Sequence, residues 1–391
     1  MTTVRLAIGL VAFAATLALP VAAQHSAPTR ARDLGIPFEG ATGPHNAITD
    51  VPGVEVGYTT LISGGGTWKR GEGPVRTGIT VVLPKGKTDQ SYNAGYFIFN
   101  GDGEMTGLPY IHDYGRQGGP IGITNTNSVG VVRDAIGQWQ NAQFGEGTAT
   151  DFSFGLPVVA ETWDGFLNDI NGDHVKKQHV FDAINSATGG PIAEGSVGGG
   201  TGMMAYWLKA GTGTSSRTLT IGSRTYTVGV LVQANLGRLD DLVIAGVPVG
   251  KELADLEPIE PRQEDGSIII VVGTDAPLSG AQLNLVAKRA ALGMGRTGTI
   301  GGSGSGDLFL AFSTAPSTYD STMQTITSTA LSKRGLDPVF RATVEATEEA
   351  IVNSMVAAQD MEGVNGNRVF AIPHERLRAA LQKFNRLRRG T

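Results

Sequence analysis

The chain has 391 residues, 40% hydrophobic and 17% charged, with 31 basic and 36 acidic side chains and a formal net charge of −5. This composition supports a large packed core, excludes a disordered chain, and lacks the concentrated basic surface of a nucleic-acid binder. There are 56 Gly and no Cys, which rules out disulfides, thiolate metal sites and a cysteine nucleophile, and places the glycine surplus in turns and close backbone approaches.

In chain order, the first feature has the pattern of an export signal. Arg5 precedes an apolar run from Leu6 to Leu19, and Val21-Ala22-Ala23 supplies the small residues of a cleavage site. The run is shorter than the roughly 20 residues that span a bilayer. The expectation is therefore a signal peptide over residues 1–23, a periplasmic or secreted mature protein, and no membrane partner. Residues 24–45 read as a flexible lead-in. Val54–Tyr58, Thr77–Leu83 and Gly95–Phe99 read as strands. Residues 100–150 are rich in Gly, Asn and Asp and read as loop. Thr162–Ile170 and Lys177–Ala187 read as helices. Thr218–Ile221 and Tyr226–Gln233 read as a hairpin about Gly222-Ser223, running on into Ala234-Asn235. Ser267–Val272 is a strand whose continuous apolar pattern predicts burial on both faces. Leu278–Leu292 is a helix with Leu283, Val286, Ala287 and Ala290 on one face. Leu308–Ser313 is a strand, Asp337–Gln359 a long helix, Val369–Ile372 a short strand and Pro373–Leu387 a closing helix. Mixed runs of strands and helices predict a layered α+β fold.

Several motifs carry no chemistry. Gly293-Met294-Gly295-Arg296-Thr297-Gly298 has the spacing of a dinucleotide fingerprint but follows a helix instead of a strand. Gly198–Gly202 lacks the lysine of a phosphate loop. The six His are scattered singly, there is no G-x-S-x-G elbow, and nothing calls for a metal or an organic cofactor.

The informative stretch runs from Lys251 to Asp307. An acidic, Pro-interrupted linker, Lys251 to Asp265, leads into Gly266-Ser267 and then the apolar run Ile268–Val272. Cleavage between Gly266 and Ser267 would give Ser267 a free amine beside its own hydroxyl. A serine hydroxyl needs a base. An α-amine with a pKa of about 7.7–8.0 sits where a general base works well. The same residues also fit an ordinary loop-to-strand junction. Thr299–Asp307 holds two serines and Asp307 among glycines; it fits close approach to a ligand, and equally a mobile turn.

These residues resemble the L-aminopeptidase/D-esterase family, which includes the β-peptidyl aminopeptidases. The matching blocks, in family order, are His45–Val54, Asn100–Gly107, Pro157–Gly165, Val232–Asn235, Gly266–Leu278 and Gly301–Asp307. The resemblance implies a precursor that cuts itself into an α chain, 24–266, and a β chain, 267–391, which together form one catalytic domain. It implies a four-layer αββα sandwich like that of N-terminal-nucleophile hydrolases with different connectivity, and a homo-oligomer of αβ units, a tetramer being favoured. It assigns Ser267 as nucleophile, Ser305 and Asp307 as supporting hydroxyl and carboxylate, Asn235 as oxyanion donor, and Glu161 as the carboxylate that binds a substrate amine. Trp163 stands where some relatives carry a Tyr. An indole can only donate, which favours the β-peptidyl branch. The implied function is an N-terminal-serine aminopeptidase acting on short peptides, amides and esters, including those of β-amino acids. The alternatives are a D-/L-aminopeptidase-esterase of α-amino-acid amides and a non-catalytic periplasmic ligand-binding protein of the same fold. An ornithine-acetyltransferase-like activity would use Thr where this chain has Ser.

Overall fold

In the computed structural model, residues 29–145, 155–256 and 266–388 are described. The signal-peptide pattern and linker residues 257–265 lie outside the described residues. Ten strands build two main sheets. In chain order they are β1 (Glu55–Ser63), β2 (Val75–Leu83), β3 (Ser91–Gly101), β4 (Arg116–Gly118), β5 (Ile121–Asn125), β6 (Val158–Thr162), β7 (Thr212–Ile221), β8 (Arg224–Leu236), β9 (Gly266–Thr274) and β10 (Gly306–Ser313). The main helices are α1 (Leu108–Tyr114), α2 (Val129–Phe144), α3 (Lys177–Ser186), α4 (Gly280–Gly295), α5 (Leu336–Val356) and α6 (His374–Lys383). Among the described residues no helix is long and apolar enough to cross a membrane.

The small sheet has the order β1-β2-β5-β6, and the large sheet β4-β3-β10-β9-β8-β7. Three cores hold them. Between the sheets lie Val56, Val82, Ile121 and Val158 from one side and Leu231, Ile269, Val271 and Leu310 from the other. Ile79, Val81 and Val159 on the outer face of the small sheet pack on Val132, Ile136 and Trp139 of α2 and Val180 and Ile184 of α3. Val230, Val232, Ile268, Ile270 and Phe309 on the outer face of the large sheet pack on Leu283 and Val286 of α4 and Ile351 and Met355 of α5. The result is the αββα sandwich. It also explains the unbroken apolar run of β9: alternate residues serve different cores, so neither face is polar.

The hairpin about Gly222-Ser223, α3, α4, α5 and the strands at Ser267 and Leu308 form where the pattern places them, with ends shifted by a few residues. Four expectations are corrected. The described part of the lead-in is packed: Ala31, Leu34, Ile36 and Phe38 are buried, and Arg30 and Arg32 pair with Glu194 and Glu349 at 2.6 and 2.7 Å. Its partners lie far along the chain, where local composition carries no sign of them. The 100–150 stretch holds α1, β4, β5 and the 16-residue α2. The spacing of Val129, Val132, Ile136 and Trp139 is helical, but Gly130 and Gly137, on open surface, dilute it. Thr162–Ile170 is no helix. β6 ends at Thr162, and the main-chain oxygen of Asp164 takes the amides of Leu167 and Asn168 in a single turn. Val369–Ile372 shrinks to a two-residue strand, Arg368–Val369, and the closing helix stops at Lys383.

β7 is tied to α5 by charge as well as by packing. The buried Arg217 guanidinium donates to Glu349 at 2.7 Å, and Arg32 and Asn46 donate to the same carboxylate. Removing one partner of a buried pair leaves a charge uncompensated, at a cost of about 3–5 kcal/mol. Glu349→Ala is therefore expected to lower unfolding stability by about that amount; urea titration followed by circular dichroism checks it, and an unchanged midpoint contradicts it.

Candidate active site

The site begins with strand register. Ser267, the second residue of β9, lies opposite Asn235 on antiparallel β8 and opposite Gly306 on parallel β10, and Gly306 faces Gly101 of β3. Directly opposed antiparallel residues share a face of the sheet. Ser267 alternates in step with Ile269 and Val271, and Asn235 with Leu231, all in the inter-sheet core. Both side chains therefore point toward the small sheet, whose strand β6 carries Glu161 at its end.

Gly266 is the residue the backbone requires. Its φ is +80°, and a Cβ there would lie 1.9 Å from the main-chain oxygen of Asn235. Only glycine lets the chain enter β9 this close to β8. The Ser267 hydroxyl is 6% exposed and accepts a hydrogen bond from the Gly306 amide at 3.2 Å. On either side of Gly306, Ser305 donates to Asp307 at 2.6 Å, and the Asn100 amide donates to the other Asp307 oxygen at 3.1 Å. Asn100 also reaches the carbonyls of Gly301 and Gly302. The glycine-rich loop is thus pinned to the end of β3, and the mobile-turn reading of it is corrected.

Asn235 is held at both ends. Its Oδ1 accepts the Met204 amide at 3.1 Å, and its Nδ2 donates to the main-chain oxygen of Trp163 at 3.1 Å. The Met204 donor settles which end of the side chain is nitrogen. Since Nδ2 carries two protons, one remains to be offered.

Glu161 is 3% exposed. One of its oxygens accepts the Glu104 amide at 3.0 Å and the other the Thr126 hydroxyl. Burial pushes its pKa above the ordinary glutamate value. The Thr126 and Glu104 hydrogen bonds oppose the rise, and the nearby charges of Glu104 and Asp102 add to it. Both donors are neutral, so the carboxylate is solvated by them without being neutralised. A cation arriving beside it would be stabilised.

These groups converge on one cavity of about 270 Å³, lined among others by Asp102, Glu104, Thr126, Glu161, Trp163, Asn235, Gly266 and Ser267. Backbone comes close at and beside it: a Cβ on Gly103, which lines the cavity, would lie 3.1 Å from Glu161, and one on Gly306 would lie 2.6 Å from the Asp102 oxygen. A larger cavity of about 930 Å³, near Tyr110, Arg116, Gln140 and Tyr319, contains none of the residues singled out by sequence. Volume alone would have misplaced the site. Among the described residues no cluster of three or more His, Asp or Glu is placed to hold a metal ion.

Of the sequence-predicted residues, Ser267, Asn235, Glu161, Trp163 and Gly266 share the cavity, while Ser305 and Asp307 bracket the amide that touches Ser267. Sequence reasoning missed Thr126 and the main-chain amides of Glu104, Met204 and Gly306. A backbone donor has no side-chain signature, and Thr126 lay in the stretch read as loop. A hydroxyl, an amide donor and an uncompensated carboxylate on one small cavity suit acyl transfer from a substrate that carries a nearby positive charge.

Comparison with known proteins gives the same direction. A family model described as Peptidase family S58 matches residues 46–369. The β-peptidyl aminopeptidase BapA of Sphingosinicella microcystinivorans is 50% identical over 373 residues, which covers 92% of this chain and 93% of that protein. BapA of Sphingosinicella xenopeptidilytica is 46% identical over 392 residues, covering 96% and 97%. The solved structure of the L-aminopeptidase D-Ala-esterase/amidase from Ochrobactrum anthropi, described as a prototype for the serine aminopeptidases and a variant of the Ntn-hydrolase fold, superposes with a TM-score of 0.86. It is 46% identical, with 92% of this chain and 99% of that one covered. A Burkholderia sp. β-aminopeptidase superposes with a TM-score of 0.82 at 42% identity, covering 91% and 99%.

The fit at Gly266 can be tested without any assay of activity. In a Ser267→Ala background, Gly266→Ala is expected to destabilise the fold by about 1–3 kcal/mol through positive φ alone, and by more through the clash with Asn235. Urea midpoints of the single and double variants measure it; equal midpoints would show that the strand entry tolerates a side chain.

Proposed function

The chain belongs to peptidase family S58 and is a serine aminopeptidase, and from that premise we propose an exported enzyme that cuts itself between Gly266 and Ser267 and then releases N-terminal residues, β-amino acids among them, from short peptides, amides and esters. One observation carries the reading: Ser267, at the start of its strand, sits directly opposite Asn235, and both line one cavity with the buried Glu161.

In this reading the Ser267 hydroxyl first attacks the carbonyl of Gly266. The acyl carbon passes to Ser267 Oγ as its bond to the Ser267 nitrogen breaks, the freed amine taking up the hydroxyl proton, and water then hydrolyses the ester to leave fragments 24–266 and 267–391. That amine then takes the hydroxyl proton as Ser267 Oγ attacks the substrate carbonyl. The free Nδ2 proton of Asn235 stabilises the tetrahedral oxyanion, a contribution of about 3–4 kcal/mol for such a donor. The intermediate collapses, the departing amine or alcohol takes up the proton, and water hydrolyses the acyl-enzyme. The Gly306 amide aims the nucleophile, and the Ser305–Asp307 pair holds Gly306 and the adjoining loop in place. Glu161 binds the substrate's ammonium group. A blocked N-terminus would leave that buried carboxylate without its partner, which explains exopeptidase action.

Export is supported by Arg5, the Leu6–Leu19 run and the Val21-Ala22-Ala23 site. Assembly of αβ units into a homo-oligomer, a tetramer by family resemblance, is supported by large apolar side chains left exposed, including Tyr114, Leu292, Ile300, Met323 and Ile326. A second reading, preference for α-amino-acid amides, is favoured by the likeness to the Ochrobactrum anthropi enzyme. Comparison of kcat/KM on β- and α-aminoacyl p-nitroanilides separates the two.

The wild-type protein is expected to run as two bands on denaturing electrophoresis, the smaller starting at Ser267, and Ser267→Ala as one inactive band; an uncut, fully active wild type would end the proposal. Glu161→Gln is expected to raise KM for free-amine substrates at least 10-fold, about the 1–3 kcal/mol of a lost charged hydrogen bond, while cutting continues. Loss of cutting and binding together would make Glu161 structural. The pH profile follows from the raised Glu161 pKa. As pH falls the carboxylate is neutralised earlier than an ordinary glutamate at about 4.3, so KM climbs on an acid limb above that value, and the limb vanishes in Glu161→Gln. On the other side, kcat rises as the Ser267 amine deprotonates, with an inflection between roughly 6 and 8; a flat profile there removes the amine from the mechanism.

A further inference from the structure

Beneath Asn235 lies a feature that the chemistry above leaves unused. Met204–Ala205 and Leu208–Lys209 form a two-stranded hairpin, with Met204 paired to Lys209 and Ala205 to Leu208. Its two turn residues are Tyr206 and Trp207, with φ of +53° and +60°. Tight two-residue hairpins need positive φ at both central positions and normally take Asn or Gly there. Two bulky aromatic residues in that conformation are strained, and such strain persists only where the surroundings over-determine it.

They do so here. The Tyr206 amide donates to the Leu236 carbonyl at 2.6 Å, and its hydroxyl meets the Thr297 hydroxyl at 2.6 Å. Its ring lies on Gly237, where a Cβ would come within 2.5 Å of it. The Lys209 amide donates to the Phe370 carbonyl at 2.8 Å. The Lys209 side chain, fully buried, turns back under the hairpin. Its Nζ donates to the carbonyls of Met203 at 2.8 Å and Ala210 at 2.6 Å. Burial without a compensating carboxylate holds this amine down to about 7. A lysine in such a place is costly where an apolar side chain of similar length would pack.

The Met203 carbonyl and the Met204 amide belong to one planar peptide unit. Lys209 grips the oxygen of that unit at 2.8 Å, closer than the Ala210 amide that also donates to it at 3.2 Å, and the nitrogen end donates to Asn235 Oδ1 at 3.1 Å. Turning the plane would break all three bonds at once. With it fixed, the Asn235 side chain can neither flip nor swing, and its Nδ2 stays directed between Trp163 and the cavity. Donation to the carbonyl also polarises the N–H at the other end of the unit, strengthening its hold on Asn235.

We infer that Lys209 is a positioning residue for the oxyanion-stabilising amide of Asn235, acting through the Met203–Met204 peptide unit of the strained hairpin. The inference rests on the reading of Asn235 given above.

A double-mutant cycle tests it, with kcat and KM measured on an amino-acid p-nitroanilide per processed site. Asn235→Ala is expected to lower kcat by about 10²–10³-fold. Lys209→Met is expected to lower kcat at least 10-fold with KM within about 3-fold, and the double variant is expected to be no slower than Asn235→Ala alone. Should Lys209→Met fail to fold, Lys209→Gln, whose shorter side chain keeps an uncharged NH₂ donor, carries the same cycle. Where a variant slows the self-cut so far that too little processed enzyme forms for assay, the first-order rate of precursor conversion replaces kcat. Independent, multiplying effects overturn the inference, as does a Lys209 variant of full kcat beside a crippled Asn235→Ala. A fully active Asn235→Ala instead overturns the role of Asn235, so the two failures are distinguishable.

Discussion

The pairing of Ser267 with Asn235 on one flank and with Gly306 on the other governs the geometry of the cavity. Because this is main-chain register, a slip of one residue would turn Ser267 toward the helices and bring Ile268 into its place. The register is secured by the two cores that β9 serves at once, since its odd and even residues are buried on opposite faces. Hydrophobic burial over the length of a strand therefore fixes the position of one hydroxyl at its end. Gly266 then meets a condition that no other residue can: positive φ within van der Waals distance of β8.

Around that row the polar groups divide into two kinds. Arg217 and Arg32 are balanced by Glu349 and Glu345 in the body of the protein and hold layers together. Glu161 and Lys209 are buried ionisable groups given only neutral hydrogen-bond partners; Glu161 lines the cavity itself, and Lys209 reaches Asn235 through the Met203–Met204 peptide unit. An uncompensated charge is poor for stability and useful for function. Glu161 keeps an unmet affinity for a cation, and Lys209 spends its protons on the carbonyls that frame a donor. Asp164, whose pKa burial raises to about 6, belongs to the same region: it accepts the amides of Asn125 and Asn168 and so holds the turn that presents Trp163.

Much of this was legible in the sequence. The apolar run of β9 announced a strand buried on two sides, and the helical stripe of Leu283, Val286 and Ala290 announced α4. The blocks at Gly266–Leu278, Pro157–Gly165 and Val232–Asn235 named the residues that the fold gathers on one cavity. What escaped was interaction over distance and by backbone. Arg30 and Arg32 look like a loose basic tail until Glu194 and Glu349 are placed beside them. Two glycines hid α2, and an aspartate-led turn imitated a helix after Thr162. The amides of Glu104, Met204 and Gly306 are invisible in any one-letter string, though each touches a residue the string did reveal.

The order of the large sheet has one more consequence. β9 and β10, which follow the Gly266–Ser267 bond, lie side by side in the interior of that sheet, with β3 beyond one and β8 beyond the other. After a break at that bond, the shorter piece is threaded through the longer one like a dovetail. It could not be traded for its counterpart in a neighbouring molecule without tearing the whole sheet open, so the two fragments that such a break would leave would stay the halves of a single translation product.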